Sequence, residues 1–74
     1  MPQVTKIGSD SYKVREFSQS MPHLSATVTF IGGKAKVIDR TGYLQDSIWD
    51  DRAIQQVQFA LVTDTVRVSD NKDG

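Results

Sequence analysis

Three aspartates near the middle of the chain are the residues whose type and spacing come nearest to a metal site. Asp46, Asp50 and Asp51 would lie within about a turn and a half of a helix, and grouped carboxylates bind divalent cations. A calcium ion takes roughly six to eight oxygen ligands, more than three neighbours supply. The favoured alternative is helix capping by Asp46 or Ser47, because carboxylates stabilise the positive end of a helix dipole. We therefore predict no metal and no cofactor.

Catalytic chemistry has little support among the remaining residues. The chain has one histidine, His23, and no cysteine. It also lacks the serine-nucleophile and phosphate-loop motifs. A lone histidine at the entrance of a strand is more typical of a surface or interface position than of an active site. The sequence therefore predicts that the protein is not an enzyme.

Two lysines define the clearest candidate for a binding surface. Lys34 and Lys36 alternate with apolar residues, so both would lie on one polar face of a sheet, which Lys13 and Arg15 could extend. Small β-domains bind single-stranded nucleic acid with such faces, using aromatic side chains for base stacking. Isoleucines occupy this face instead, which favours a second buried layer or a protein-binding patch. Two amphipathic aromatics follow this face along the chain. The candidate interaction residues are Ile31, Lys34, Lys36, Ile38, Tyr43 and Trp49.

Period-two alternation over 24–40 predicts the element that positions these lysines, a β-hairpin. Gly32 and Gly33 supply the positive φ angles that a two-residue turn requires, and such a turn matches the twist of the strands. Apolar side chains of both strands then share the face opposite the lysines. The predicted pairs are Ile31 with Lys34, Phe30 with Ala35, Val28 with Val37 and Ala26 with Asp39.

Weaker patterns predict the elements on either side of the hairpin. Short alternating segments indicate strands at 3–7, 12–17 and 65–68. Apolar residues at three- and four-residue spacing predict one short helix near 48–60. A strand over 57–62 is the alternative, because apolar and polar residues also alternate there.

These elements predict one domain, 1–74, with a polar C-terminal tail at 69–74. The expected fold is α+β and mainly β, a small antiparallel sheet or open barrel of four to five strands with the helix packed on it. The expected core is Leu24, Val28, Phe30, Val37, Trp49, Ile54, Val57, Leu61 and Val66.

Size and composition limit how such a domain is stabilised. A chain of 74 residues buries only about 60% of its unfolded surface. The absence of cysteine excludes disulfides, so self-association or a protein partner is the expected supplement. No apolar stretch is long enough to span a membrane or to form a signal peptide. We therefore expect no membrane partner and a cytoplasmic location, or assembly from the cytoplasm into a particle.

Charge is balanced overall but uneven along the chain. Nine basic and nine acidic residues cancel, which disfavours a strongly electrostatic nucleic-acid binder. Residues 1–40 hold six basic and three acidic residues, whereas 41–74 hold three basic and six acidic. The favoured interpretation is that opposite halves pair within the chain, and the alternative is that copies stack head to tail.

The function predicted from these features is a non-enzymatic interaction or assembly module. It would bind copies of itself or dock into a larger protein assembly, and a component of a virus-like particle is one such setting. The alternatives are a domain that binds single-stranded nucleic acid through Lys34 and Lys36, and a protein inhibitor or regulator.

Overall fold

The computed structural model describes residues 1–68, which form one open sheet with a helix on one face. The strand order is β4-β3-β2-β1-β5. Neighbouring strands are antiparallel except for β5, which pairs parallel to β1. The elements are β1 (Gln3–Lys6), β2 (Ser11–Arg15), β3 (Ser25–Ile31), β4 (Lys34–Thr41), α1 (Ser47–Thr63) and β5 (Arg67–Val68).

The predicted α+β fold is confirmed, with one correction. The sheet is mixed rather than wholly antiparallel, because α1 carries the chain from β4 at one edge to β5 at the other, and this crossover leaves β5 parallel to β1. The sheet does not close into a barrel, since its edge strands β4 and β5 lie at opposite ends of the order. The tail predicted at 69–74 lies outside the described residues.

The central hairpin forms as predicted near its turn. Gly32 and Gly33 have φ angles of 61° and 82°, and the pairs Ile31–Lys34, Phe30–Ala35 and Val28–Val37 are all present. Beyond them the predicted pair of Ala26 with Asp39 is wrong.

A β-bulge causes this difference. Thr27 pairs with Asp39 and Ala26 with Arg40, which leaves Ile38 without a partner opposite it. Because side chains alternate along a strand, one extra residue exchanges the faces of all those that follow. The bulge thus moves Asp39 to the open face and Arg40 to the helix side.

Helix α1 is longer than predicted and begins at one of the two predicted caps. Asp46 is the N-cap, and its Oδ1 accepts a hydrogen bond of 2.8 Å from the backbone N–H of Ile48. The helix continues to Thr63, so the alternative strand over 57–62 is wrong. Asp64 ends it in the left-handed conformation, φ 57° and ψ 44°, where its N–H bonds back to carbonyls of the last turn.

The core lies between α1 and the inner face of the sheet. Leu24, Val28 and Val57 are buried as predicted, and most of the other predicted residues pack against them half-buried. The prediction of Leu61 as a core residue is wrong, because its side chain is 43% exposed. The buried residues that were not predicted as core are Val4, Tyr12, Val14, Phe17, Ala26, Ala53 and Ala60.

Phe17 is buried through a local change of backbone direction. Strict alternation places it on the face opposite Tyr12 and Val14. Glu16 instead has a φ of 57°, which ends the strand and turns Phe17 into the core, where it is 3% exposed. Residues without glycine's freedom adopt this conformation rarely, so pattern alone gave no sign of it.

Candidate functional site

The face of the sheet opposite α1, here called the open face, carries most of the basic side chains. The registers place Arg67, Thr5, Lys13, Thr27 and Asp39 in one row across all five strands. The neighbouring row on one side adds Arg15, and the two rows on the other side add Lys36 and Lys34. The basic residues of the open face are Lys13, Arg15, Lys34, Lys36 and Arg67, against one acidic residue, Asp39.

Hydroxyl groups form the floor between these cations. Ser25 and Thr27 are buried by the longer side chains around them, at 9% and 7% exposure. The hydroxyls of Ser11 and Thr29 are 3.0 Å apart across β2 and β3, and Thr29 Oγ1 also donates to the carbonyl oxygen of Asp10 at 3.2 Å. Short hydroxylated side chains keep this face shallow, so it fits a broad partner surface better than a small ligand.

Four of the predicted interaction residues lie together at the β3–β4 end of the open face. Ile31 pairs with Lys34 beside the Gly-Gly turn, and Lys36 pairs with Thr29 one period further along. Ile38 occupies the bulge beyond them. Both isoleucines are 56% exposed, so this end of the face combines apolar area with positive charge.

Arg67 is the one basic residue of the open face that sequence reasoning did not connect to it. Lys13 and Arg15 follow from the alternation in β2. Arg67 joins them only because β5 pairs in parallel with β1 and aligns with Thr5. Nothing in the sequence of a two-residue strand indicates which edge it joins.

Tyr43 and Trp49, the other two predicted residues, lie away from the open face. Tyr43 packs edge-on against Phe17, with ring centroids 6.1 Å apart. Its hydroxyl donates to Oδ1 of Asp50 at 2.7 Å. Trp49 is half-buried beside the connection between β2 and β3. The predicted patch is therefore two separate surfaces.

Asp50 is the centre of the one ionic cluster between sheet and helix among the described residues. Arg40 donates to it twice, from Nε to Oδ1 at 2.9 Å and from Nη2 to Oδ2 at 2.7 Å. Both side chains are largely shielded, with exposures of 22% for Arg40 and 14% for Asp50. This paired geometry is the strong form of a carboxylate–guanidinium contact. It ties the first turn of α1 to β4.

The cluster shifts the pKa values of its members in ways that fix their charge at neutral pH. The hydrogen bonds from Arg40 hold the pKa of Asp50 below its usual range, although partial burial opposes this. Desolvation, together with the hydrogen bond to Asp50, raises the pKa of Tyr43 far above its usual range. Asp50 is thus charged and Tyr43 neutral, which suits a structural contact rather than proton transfer.

The aspartates weighed as cation ligands have other contacts. The carboxylate of Asp46 caps α1 and that of Asp50 binds Arg40 and Tyr43. Within residues 1–68 no three histidine or acidic side chains come close enough to hold a metal ion. No helix in this part of the chain has both the length and the apolar character needed to cross a membrane.

Comparison with known proteins assigns no family to this chain. No protein-family model, curated protein or solved structure matches the chain. The surfaces that bear on function are the open face, the outer side of α1 and the cleft beside Trp49.

Proposed function

We propose that this protein is a non-enzymatic assembly module in which the open face of one copy docks onto the outer side of α1 of the next. The observation that carries the proposal is the separation of charge between the open face and the rest of the described chain. The open face holds five basic residues and one acidic residue, whereas the rest of 1–68 holds three basic and six acidic residues. Opposite potentials on opposite sides favour head-to-tail contact.

Internal pairing accounts for only part of this charge. The described residues contain two ion pairs, Arg40 with Asp50 and the terminal amine of Met1 with Glu16. Neither uses a basic residue of the open face. The cations there are therefore available to an external acidic surface, which supports stacking over the internal compensation favoured by the sequence alone.

The outer side of α1 offers a matching surface. Its exposed residues recur at three- and four-residue intervals and so form one stripe along the helix. The stripe combines a carboxylate with large apolar side chains, and two of these, Ile48 and Phe59, are about two-thirds exposed. Ile31 and Ile38, on the open face of the next copy, would supply the apolar area that contacts this stripe. The stripe consists of Ile48, Asp51, Gln55, Phe59 and Val62.

The direct test is the mass of the protein in solution, measured by light scattering at two protein concentrations and two salt concentrations. We expect association that grows with protein concentration and weakens with salt, because salt screens the opposed charges. A monomer at high protein concentration and low salt would overturn the proposal.

Charge reversal then tests the head-to-tail geometry. Lys34→Glu with Lys36→Glu reverses the charge at the β3–β4 end of the open face, and Asp51→Lys with Gln55→Lys reverses the charge of the helix stripe. Each double variant alone should be monomeric, but their mixture should associate, because every contact in an alternating stack joins opposite charges. Lys6→Glu is the control, since Lys6 lies on the helix side of β1. If the mixture stays monomeric, the head-to-tail arrangement is wrong.

A second candidate function is binding of single-stranded nucleic acid, supported by the five cations of the open face. Phe30 and Tyr12, which could stack on bases, instead contact each other on the helix side, with ring centroids 5.9 Å apart. Among the described residues the open face carries no aromatic side chain. A labelled oligothymidine tests this function. Affinity that falls steeply with salt and is lost in Lys34→Ala with Lys36→Ala would favour it over assembly.

A further inference from the structure

A cleft of about 620 Å³ separates the connection between β2 and β3 from the first half of α1. Its volume is within the range of about 300–1,000 Å³ that is common for ligand sites. Residues 16–20 form one wall, and side chains of α1 form the other. The cleft lies on neither the open face nor the helix stripe, and among the predicted interaction residues only Trp49 contributes to it.

The first wall has free hydrogen-bonding capacity in its backbone. After the turn at Glu16, residues 17–20 make no backbone hydrogen bond to another described residue. Phe17 and Ser18 are nevertheless buried and fix the position of this segment. Backbone N–H and C=O groups need partners, and unpaired backbone along a groove is what bound peptide segments use. The wall therefore favours a ligand with its own main chain.

The second wall supplies the charge. Trp49, Arg52 and Gln56 are spaced by three and four residues, so they line the cleft from one side of α1. Arg52 forms no ion pair with any described residue. The other charged side chain of the cleft, Glu16, lies 3.5 Å from the amine of Met1. The unpaired charge of the cleft is therefore positive.

We propose that this cleft binds a segment of a partner protein that carries an acidic side chain. The Arg52 guanidinium pairs with the carboxylate, since its planar fork suits two parallel hydrogen bonds. The backbone of 17–20 hydrogen-bonds to the main chain of the segment. The half-buried ring of Trp49 contacts a neighbouring apolar side chain. The stacking of copies uses other residues, so either function can exist without the other.

Selection from a random seven-residue peptide library on phage, with the purified protein as bait, tests this proposal. The enriched peptides should share an aspartate or glutamate. Changing that residue to its amide should weaken binding by about tenfold or more, the size expected for loss of a paired charge. The bait is used both as wild type and as Lys34→Glu with Lys36→Glu, because acidic peptides could otherwise be captured by the open face. Enrichment without a shared acidic residue would overturn the proposal.

Variants of two exposed arginines, Arg52 and Arg67, test where the peptide binds. Arg52→Gln should lose about tenfold in affinity, whereas Arg67→Gln, on the open face, should stay within about twofold. Circular dichroism verifies that both remain folded. Amide shifts on peptide titration should concentrate in 17–20 and the Trp49 indole. Equal loss in both variants, or shifts confined to Lys34 and Lys36, would overturn the cleft assignment even if copies stack as proposed.

Discussion

Arg40 of β4 and Asp50 of α1 form a two-point ion pair, with Nε–Oδ1 at 2.9 Å and Nη2–Oδ2 at 2.7 Å. The hydroxyl of Tyr43 donates to the same carboxylate at 2.7 Å. Arg40 reaches Asp50 because the bulge at Ile38 turns it to the helix side of the sheet. One extra residue in an edge strand thus determines how the helix is attached to the sheet.

Removal of the Asp50 charge should lower the thermal stability of the fold. Asp50→Asn leaves a largely shielded guanidinium without its counter-charge, and we expect a fall in Tm on the order of 5–10 °C for a domain of this size. Asp51→Asn is the matched control, because Asp51 is the exposed neighbour in the same helical turn. Thermal unfolding followed by circular dichroism provides the comparison. Equal Tm values in the two variants would show that the ion pair contributes nothing to stability.

The pH dependence of stability follows from the two shifted groups. The folded pKa of Asp50 is lowered, so its contribution is full above about pH 4–5 and is lost as pH falls through the folded pKa. The folded pKa of Tyr43 is raised, so its contribution is full below about pH 10 and is lost as pH rises further. We expect a plateau of unfolding free energy between these limits. Asp50→Asn should flatten the acid limb, and Tyr43→Phe the alkaline limb, in urea titrations.

Gly42 is a position where any side chain should be harmful. Its φ of 92° is unfavourable for other residues, and an added Cβ would lie 2.8 Å from Cδ2 of Leu24, which is buried. Gly42→Ala should therefore cost about 1–3 kcal/mol of unfolding free energy. Gly8→Ala is the control, since its Cβ would meet only Ser11, at 3.6 Å. The urea midpoint of Gly42→Ala should be lower than that of Gly8→Ala. A wild-type midpoint in Gly42→Ala would show that a side chain at this position causes no strain.

Val28 tests whether the hairpin belongs to the core. The side chain is fully buried, at 0% exposure, so Val28→Ala should cost about 1–3 kcal/mol through lost contacts and a small cavity. Val62→Ala removes the same atoms from a position that is 85% exposed and should change stability by less than about 0.5 kcal/mol. Chemical denaturation of both variants makes the comparison. Similar losses would mean that burial at Val28 does not stabilise the fold.

Local patterns were sufficient to predict the hairpin and the existence of the helix. Two glycines fix the turn through their positive φ angles, and the alternation from that turn fixes the faces of Phe30 and Val37 and the polar positions of Lys34 and Lys36. These features depend on neighbours in sequence. They therefore carry a signal that can be found without the tertiary structure.

The remaining features depend on contacts between distant parts of the chain. The Arg40–Asp50 ion pair offsets the free-energy cost of the bulge at Ile38. The burial of Phe17 offsets the cost of the positive φ at Glu16. In both places a long-range contact outweighs the local preference for regular alternation, and only the folded chain contains that contact. The sequence by itself determined the polar and apolar faces of the hairpin. The tertiary structure alone decided that Arg67 joins the other cations of the open face, because the parallel pairing of β5 with β1 aligns it with Thr5.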